Sequence, residues 1–196
     1  MIPRHVQISL VLLVVGIFGM SAYMLHLRTR VVAASTYQLD GKPVAPPVTT
    51  AAEPVTLYVA FDDEGVLLRR SVPVALPAEP TARAREVLRT LLAAYLDRPS
   101  PHPLGAGSDV NEVFIVNQSL AVVDLNSSFA QGHRSGVWEE TLTIDSLVAT
   151  LAANMPEITQ VKILVNGQER ETLAGHADLM SVYSVAQVNS LLQDQR

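Results

Sequence analysis

The 196-residue chain carries 14 Lys and Arg against 19 Asp and Glu, a formal charge of −5, and has no cysteine. The missing thiol excludes disulfides, thiolate metal sites, a cysteine nucleophile and a lipid-modified N-terminal cysteine. Three arginines and no acids fall within the first 30 residues, so eleven basic side chains face nineteen acidic ones beyond them, a charge of −8. That balance argues against nucleic acid as a partner, because neutralising phosphates needs clustered Lys and Arg. The length supports one domain with its own core plus an appendage.

After a flank at residues 1–5, residues 8–25 (ISLVLLVVGIFGMSAYML) contain no charge, and Val6 and Leu27 extend the run. At ~1.5 Å per residue, roughly 20 apolar residues in a helix span a bilayer's hydrocarbon layer. Residues 6–27 are therefore expected to be an uncleaved transmembrane anchor. A cleaved signal peptide, with Val32 and Ala34 as small residues before the cut, is the alternative. The apolar run is long for a signal peptide, and arginines intervene before the site. Residues 28–53 hold Pro43, Pro46 and Pro47 among Thr and Ala, a composition that serves as a spacer and not as a core.

Folded structure is expected from residue 54. Val55, Leu57, Val59 and Phe61 alternate with Thr56, Tyr58 and Ala60, the period-two pattern of a strand. A turn at residues 62–65 leads into a second extended segment, residues 66–76, so a hairpin is predicted. Pro80 then suits a first helical position, and Ala84, Val87, Leu88, Leu91, Leu92 and Tyr95 share one helical face. Pro99, Pro101 and Pro103 stop that helix. Residues 113–116 and 120–125 form two short strands around Asn117-Gln118-Ser119. A second helix, residues 141–155, repeats the offset with Ile144, Leu147, Val148, Leu151, Ala152 and Met155. Val161, Ile163 and Val165 mark a strand, Asn166-Gly167 reads as a type I′ turn, and residues 168–173 are expected to pair back. The order ββ-α-ββ-α-ββ predicts an α+β domain over residues 54–179, with a mainly antiparallel sheet and two amphipathic helices on one face. Residues 180–196 read as a short, fraying tail.

Several segments together carry a resemblance: VTLYVAF, ARAREVLRTLL, AVVDLNSSF with the following Glu140, LVATLAANMP, and above all VKILVNGQERETLAGHADL. The stretch from about residue 55 to residue 178 resembles the GerMN domain family of sporulation and germination proteins. Two departures stand out. Asn166 occupies a turn position where such domains often have aspartate, and residues 180–182 replace a Pro-containing end. The resemblance implies a membrane-anchored or lipoprotein-borne bacterial module, extracytoplasmic, with no established catalysis. It also implies a domain that binds or helps assemble other envelope components, or self-associates, and it does not by itself imply sporulation.

The candidate chemistry is sparse. Asp124 and Glu140, with Glu139 beside the latter, are the carboxylates that could serve a cell-wall glycoside hydrolase, which needs two acids across a cleft with separated pKa values. The plainer reading has Asp124 accepting hydrogen bonds at a strand end and Glu140 near a helix N-terminus. His133, His176 and Asp178 are types that bind zinc, but no HExxH or helical His pair is present. We expect instead that Gly175 supplies a positive φ, that His176 packs in a loop and that Asp178 closes a turn. Ser127 and Ser128 lack the GxSxG elbow that would make a nucleophile, and residues 105–108 lack the lysine of a phosphate loop. Trp138, the only tryptophan, is expected to be buried; exposed beside a groove, it would point to a carbohydrate- or peptidoglycan-binding module. Arg83, Arg85 and Arg89 form a basic patch suited to solvent or to anionic lipid. No cofactor is expected. The contact candidates are thus Asp124, Trp138, Glu140, His176 and Asp178.

Overall fold

The computed structural model describes residues 51–194, together with the helical positions Met20 and Tyr23. The expected anchor at residues 6–27, those two positions apart, and residues 28–50 of the spacer lie outside the described residues. No helix among the described residues is long and apolar enough to cross a membrane.

Strand β1 (Glu53–Phe61) pairs antiparallel with β2 (Val66–Val74) in an unbroken register from Glu53 opposite Val74 to Phe61 opposite Val66. Gly65 closes their turn at φ +66°, a conformation L side chains resist. Helix α1 (Pro80–Leu96) starts where the Glu79 carboxylate accepts the Thr81 and Ala82 amides. It buries all six residues of its expected face, Ala84 through Tyr95. Each buried Val or Leu contributes on the order of 1.5–3 kcal/mol through the apolar surface it removes from water.

The second sheet holds β3 (Val110–Val116), β4 (Leu120–Leu125), β5 (Gln160–Val165) and β6 (Val182–Ser184), in that order. Between β4 and β5 run the short helix α2 (Ser127–Gln131) and the long helix α3 (Val137–Asn154). Helix α4 (Val185–Asp194) follows β6 directly.

Four expectations change. The strands do not form one mainly antiparallel sheet: β1 and β2 stand as a separate pair, and β4 and β5 run parallel. A helical crossover between β4 and β5 carries the chain back to its starting end, which enforces that direction. The Asn166-Gly167 turn forms as predicted, with φ of 51° and 71°, but the returning arm makes only the bridge from Val165 to Gln168. Along the other end of β5 the partner is β6, and residues 173–178 fold elsewhere. Nor do the two main helices lie on one face of one sheet. Helix α3 is buried nearly all round, and it packs against α1, α4 and the β1–β2 hairpin. Finally, the expected tail folds as β6 and α4, with Val188 buried in the core.

A polar stripe on α3 explains how it can be buried on both sides. Ser146, Thr150 and Asn154, four residues apart, line up along β1. Asn154 accepts the Thr56 amide at 2.9 Å and donates to the Thr56 carbonyl at 2.7 Å. Thr150 Oγ1 accepts the Tyr58 amide at 2.9 Å, and Ser146 donates to the Tyr58 carbonyl at 2.6 Å. The phenol of Tyr95, from α1, accepts the Ala60 amide at 2.8 Å. The strand edge is thereby satisfied by side chains, and its N–H and C=O groups can be buried without loss.

Candidate functional site

Helix α3 begins at Val137, one turn earlier than its periodicity suggests, so Trp138, Glu140 and Asp145 all belong to it. The three carboxylate-bearing or aromatic positions have different fates.

Glu140 is fully buried. Its Oε2 accepts the amides of Ala174 (2.9 Å), His176 (3.0 Å) and Ala177 (2.9 Å), and Oε1 meets His176 Nδ1 at 3.0 Å and the Gly136 amide at 3.3 Å. Burial alone would push its pKa up; the amides of Ala174 and Ala177, with the ring and amide of His176, overcome that and hold it down at about 2. Gly175, at φ +127°, lets the loop turn around the carboxylate. His176 is therefore not packed into the loop; its ring is partly exposed and rests on Glu140. Asp178 does close a turn, accepting the Met180 amide at 2.8 Å and the Ser181 hydroxyl. Those bonds lower its pKa.

Asp124 belongs to another knot. Its Oδ1 accepts the Gly167 amide at 2.7 Å and its Oδ2 the Asn111 side chain at 3.2 Å, tying the end of β4 to the turn after β5. Asn166 stands in the same knot, its Oδ1 accepting the Ser127 amide at 3.1 Å. Asp124 and Glu140 share no hydrogen-bond partner, and neither lines the groove between α3, β6 and α4. A carboxyl held down at about 2 is also the opposite of a general acid, whose pKa must be raised.

Two other histidines, His102 and His133, take part in a buried relay that the sequence did not reveal. His102 joins Asp62 through Nδ1 and Thr143 Oγ1 through Nε2 at 2.6 Å; His133 reaches the same Thr143 oxygen at 2.7 Å and the Arg134 carbonyl at 2.7 Å. Burial lowers the pKa of His133. The Asp62–His102–Thr143 order mimics an acid–base–hydroxyl triad, but His102 and Thr143 are sealed in the core and a substrate could not reach them. Ser127 and Ser128 are not part of it. Among the described residues no three His, Asp or Glu side chains converge to hold a metal. The basic patch on α1 is also neutralised: Arg83 pairs with Glu53, Arg85 with Glu112 and Arg89 with Asp109.

Trp138 reverses its expectation. It is 69% exposed, and its neighbour Val137 60%. On the same helical face, three and seven residues on, Thr141 and Asp145 line a groove of about 430 Å³ whose other wall is Tyr183 and the α4 residues Gln187, Val188 and Leu191. Burial raises the Asp145 pKa to about 6. Tyr183 is pushed up to about 12, first by burial and then by the charges of Asp178, Asp145 and Glu140. Its hydroxyl donates to the Asp178 carbonyl at 2.6 Å. The sequence did carry a signal here: Asp145 is the sole charge between Glu140 and Glu157 in an otherwise uncharged run.

Residues 56–171, more than half the chain, match the family model described as Germane, sporulation and spore germination. The chain belongs to the Germane family. The first GerMN domain of the sporulation protein GerM from Bacillus subtilis has the same fold, at TM-score 0.51 and 19% identity, over 66% of this chain and 94% of that one. The tandem GerMN domains of the same protein align at TM-score 0.51 and 20% identity over 67% of this chain, which spans 45% of theirs. A Clostridium perfringens protein described as a putative lipoprotein aligns at TM-score 0.46 and 17% identity, over 68% of this chain and 88% of its own. No curated protein matches the chain in sequence. The matched residues thus run from within β1 to just past the turn after β5, while the loop that wraps Glu140, β6 and α4 lie beyond them.

Proposed function

We propose that this chain is a membrane-anchored, extracytoplasmic GerMN module of the bacterial envelope that binds or helps assemble other envelope proteins and catalyses no reaction of its own. The observation that carries this reading is the outward-facing Val137–Trp138 pair at the head of α3. An exposed tryptophan with an adjacent exposed valine is the kind of aromatic anchor that protein interfaces concentrate. The uncharged run at residues 8–25 and the Pro-rich spacer supply the tether in this reading. The knots at Glu140 and Asp124 account for the acids as fold-forming groups, which removes the main support for a wall hydrolase.

The test is crosslinking in living cells followed by capture of the full chain. Wild type is expected to bring down partner proteins or a second copy, and the double variant Val137→Ser, Trp138→Ala to lose them. Recovery of the monomer alone, where known envelope complexes survive, would refute the reading. A reporter fused after Arg196, active only on export, checks the topology. Exposed Trp138 also suits stacking on a sugar ring, so a peptidoglycan-binding module is a second reading; co-sedimentation of the protein with purified wall sacculi, lost in Trp138→Ala, would favour it.

A further inference from the structure

The groove between α3, β6 and α4 has an unusual floor. Asp145 is partly buried, which raises its pKa, and among the described residues no donor or cation bonds to its carboxylate. Partly buried carboxylates ordinarily meet a donor or a cation, because desolvation without compensation costs stability. Here the space in front of the acid is open. At about 430 Å³ it falls within the range of ligand-binding clefts.

Its walls select for charge and shape. None of the described residues lining it is basic, and three carboxylates, Asp178, Asp145 and Glu140, bear on Tyr183 at its side. The nearby Lys162 is already committed, its Nζ bonded to the Leu179 and Met180 carbonyls and paired with Glu169. An anion would be repelled. A metal ion would find one carboxylate among hydroxyls and an amide, and the described residues offer no three-ligand cluster. What fits is an organic cation on an apolar stem: Val188, the Tyr183 ring and the half-exposed Leu191 supply the apolar wall, while Thr141 and Gln187 can meet the peptide groups on either side.

We propose that this groove receives a lysine or arginine side chain of a partner protein, with Asp145 pairing the cation and Val188, Tyr183 and Leu191 packing its aliphatic stem. The inference rests on the reading of the chain as a protein-binding module and gives that module a specificity. Exposed Trp138, on the same face of α3, flanks the groove and offers a ring against which the partner's adjacent residues pack. The acidic balance of the chain beyond residue 30, −8, draws a basic partner toward the site before contact.

The test uses the full chain in detergent micelles at pH 7.5 and a dye-labelled peptide, acetyl-Leu-Lys-Leu-amide, followed by fluorescence anisotropy. Saturable binding is expected, at least about tenfold weaker for Asp145→Asn and equally weakened when norleucine replaces the lysine. Because no described residue bonds to Asp145, the Asn variant is expected to fold, which its circular dichroism checks. Equal affinity of wild type and Asp145→Asn, or of the lysine and norleucine peptides, would overturn the proposal. Binding of amine-bearing wall fragments without binding of the lysine peptide would overturn it as well. The two readings fail separately. Partner capture in cells that persists unchanged in Asp145→Asn sinks the groove and leaves the module; peptide binding by a chain that captures no protein in cells sinks the module alone.

Discussion

Glu140 organises a loop 34 to 37 residues away in sequence, and its removal should be felt there first. Substituting alanine leaves the amides of Ala174, His176 and Ala177 without an acceptor and opens a void in a fully buried site. Each orphaned buried donor costs about 1–3 kcal/mol, less whatever water recovers. Because Gly175 and His176 are exposed, water will recover part, and a total of about 3–5 kcal/mol is expected, the range seen when one partner of a buried charged network is removed. Glu140→Gln keeps one acceptor oxygen and should cost about 2 kcal/mol at pH 7. The pH dependence separates charge from shape. The carboxyl's folded pKa, about 2, lies below its ordinary 4.5, so its stabilisation is complete above pH 4.5 and drains away as pH falls toward 2. Urea unfolding of the full chain, followed by far-ultraviolet circular dichroism from pH 7 to pH 3, should show the gap between wild type and Glu140→Gln narrowing below pH 4.5. Hydrogen exchange should speed up at residues 174–177 before the rest of the core. A gap that is constant across pH, or smaller than about 0.5 kcal/mol at pH 7, would refute the reasoning.

Asp145, five residues along the same helix, should behave in the opposite sense. Its pKa is raised from 3.8 to about 6, so its ionisation weakens the fold as pH rises through that interval. Tyr183 is the titratable group facing it from β6, and the described α4 residues that line the groove, Gln187, Val188, Ser190 and Leu191, are uncharged. Asp145→Asn should match wild type below pH 4 and gain on the order of 1 kcal/mol at pH 7.5, a figure reduced for the solvent the groove admits; denaturant melts at the two pH values decide it, and a loss of stability at pH 7.5 would contradict the account. Thr143→Val strands the Nε2 atoms of both His102 and His133 in the core and should cost about 2–4 kcal/mol by the same assay. Asn154→Ala removes both bonds to Thr56; a loss of about 1–2 kcal/mol is expected, with faster amide exchange at Thr56 than at the β2-facing amides of β1.

Much of the architecture could be read from periodicity. The six apolar positions of α1 all point inward, and the β1 alternation and the Asn166-Gly167 turn form as patterned. Periodicity shows which side of a segment is apolar but not which segment it meets, so the parallel pairing of β4 with β5 was invisible. On α3 the hidden signal was polar: Ser146, Thr150 and Asn154 form their own stripe, which apolar bookkeeping treats as solvent-facing. In helix α4, Val185, Val188, Leu191 and Leu192 have helical spacing. Its polar intervening residues and terminal position mask that signal and read as a fraying tail. Trp138 faces outward for a geometric reason. Starting α3 at Val137 instead of Thr141 puts the ring on the helix and turns it outward, whereas a loop could have folded it under. The contacts of Glu140 with Ala174 and Ala177 depend on tertiary proximity alone, and local sequence carries no trace of them.

The side-chain lacing of β1 by α3 makes the smaller sheet asymmetric. Serine, threonine and asparagine there stand in for a neighbouring backbone, so an incoming strand finds that flank occupied. Among the described residues, the margin of this sheet left without a strand partner or side-chain lacing is the far side of β2, which carries Arg69, Arg70 and Pro73. Charge and a missing amide discourage casual stacking along that margin. Copies of this domain brought together on a surface are thus steered away from fibril-like growth through their hairpins, and toward contacts made by side chains.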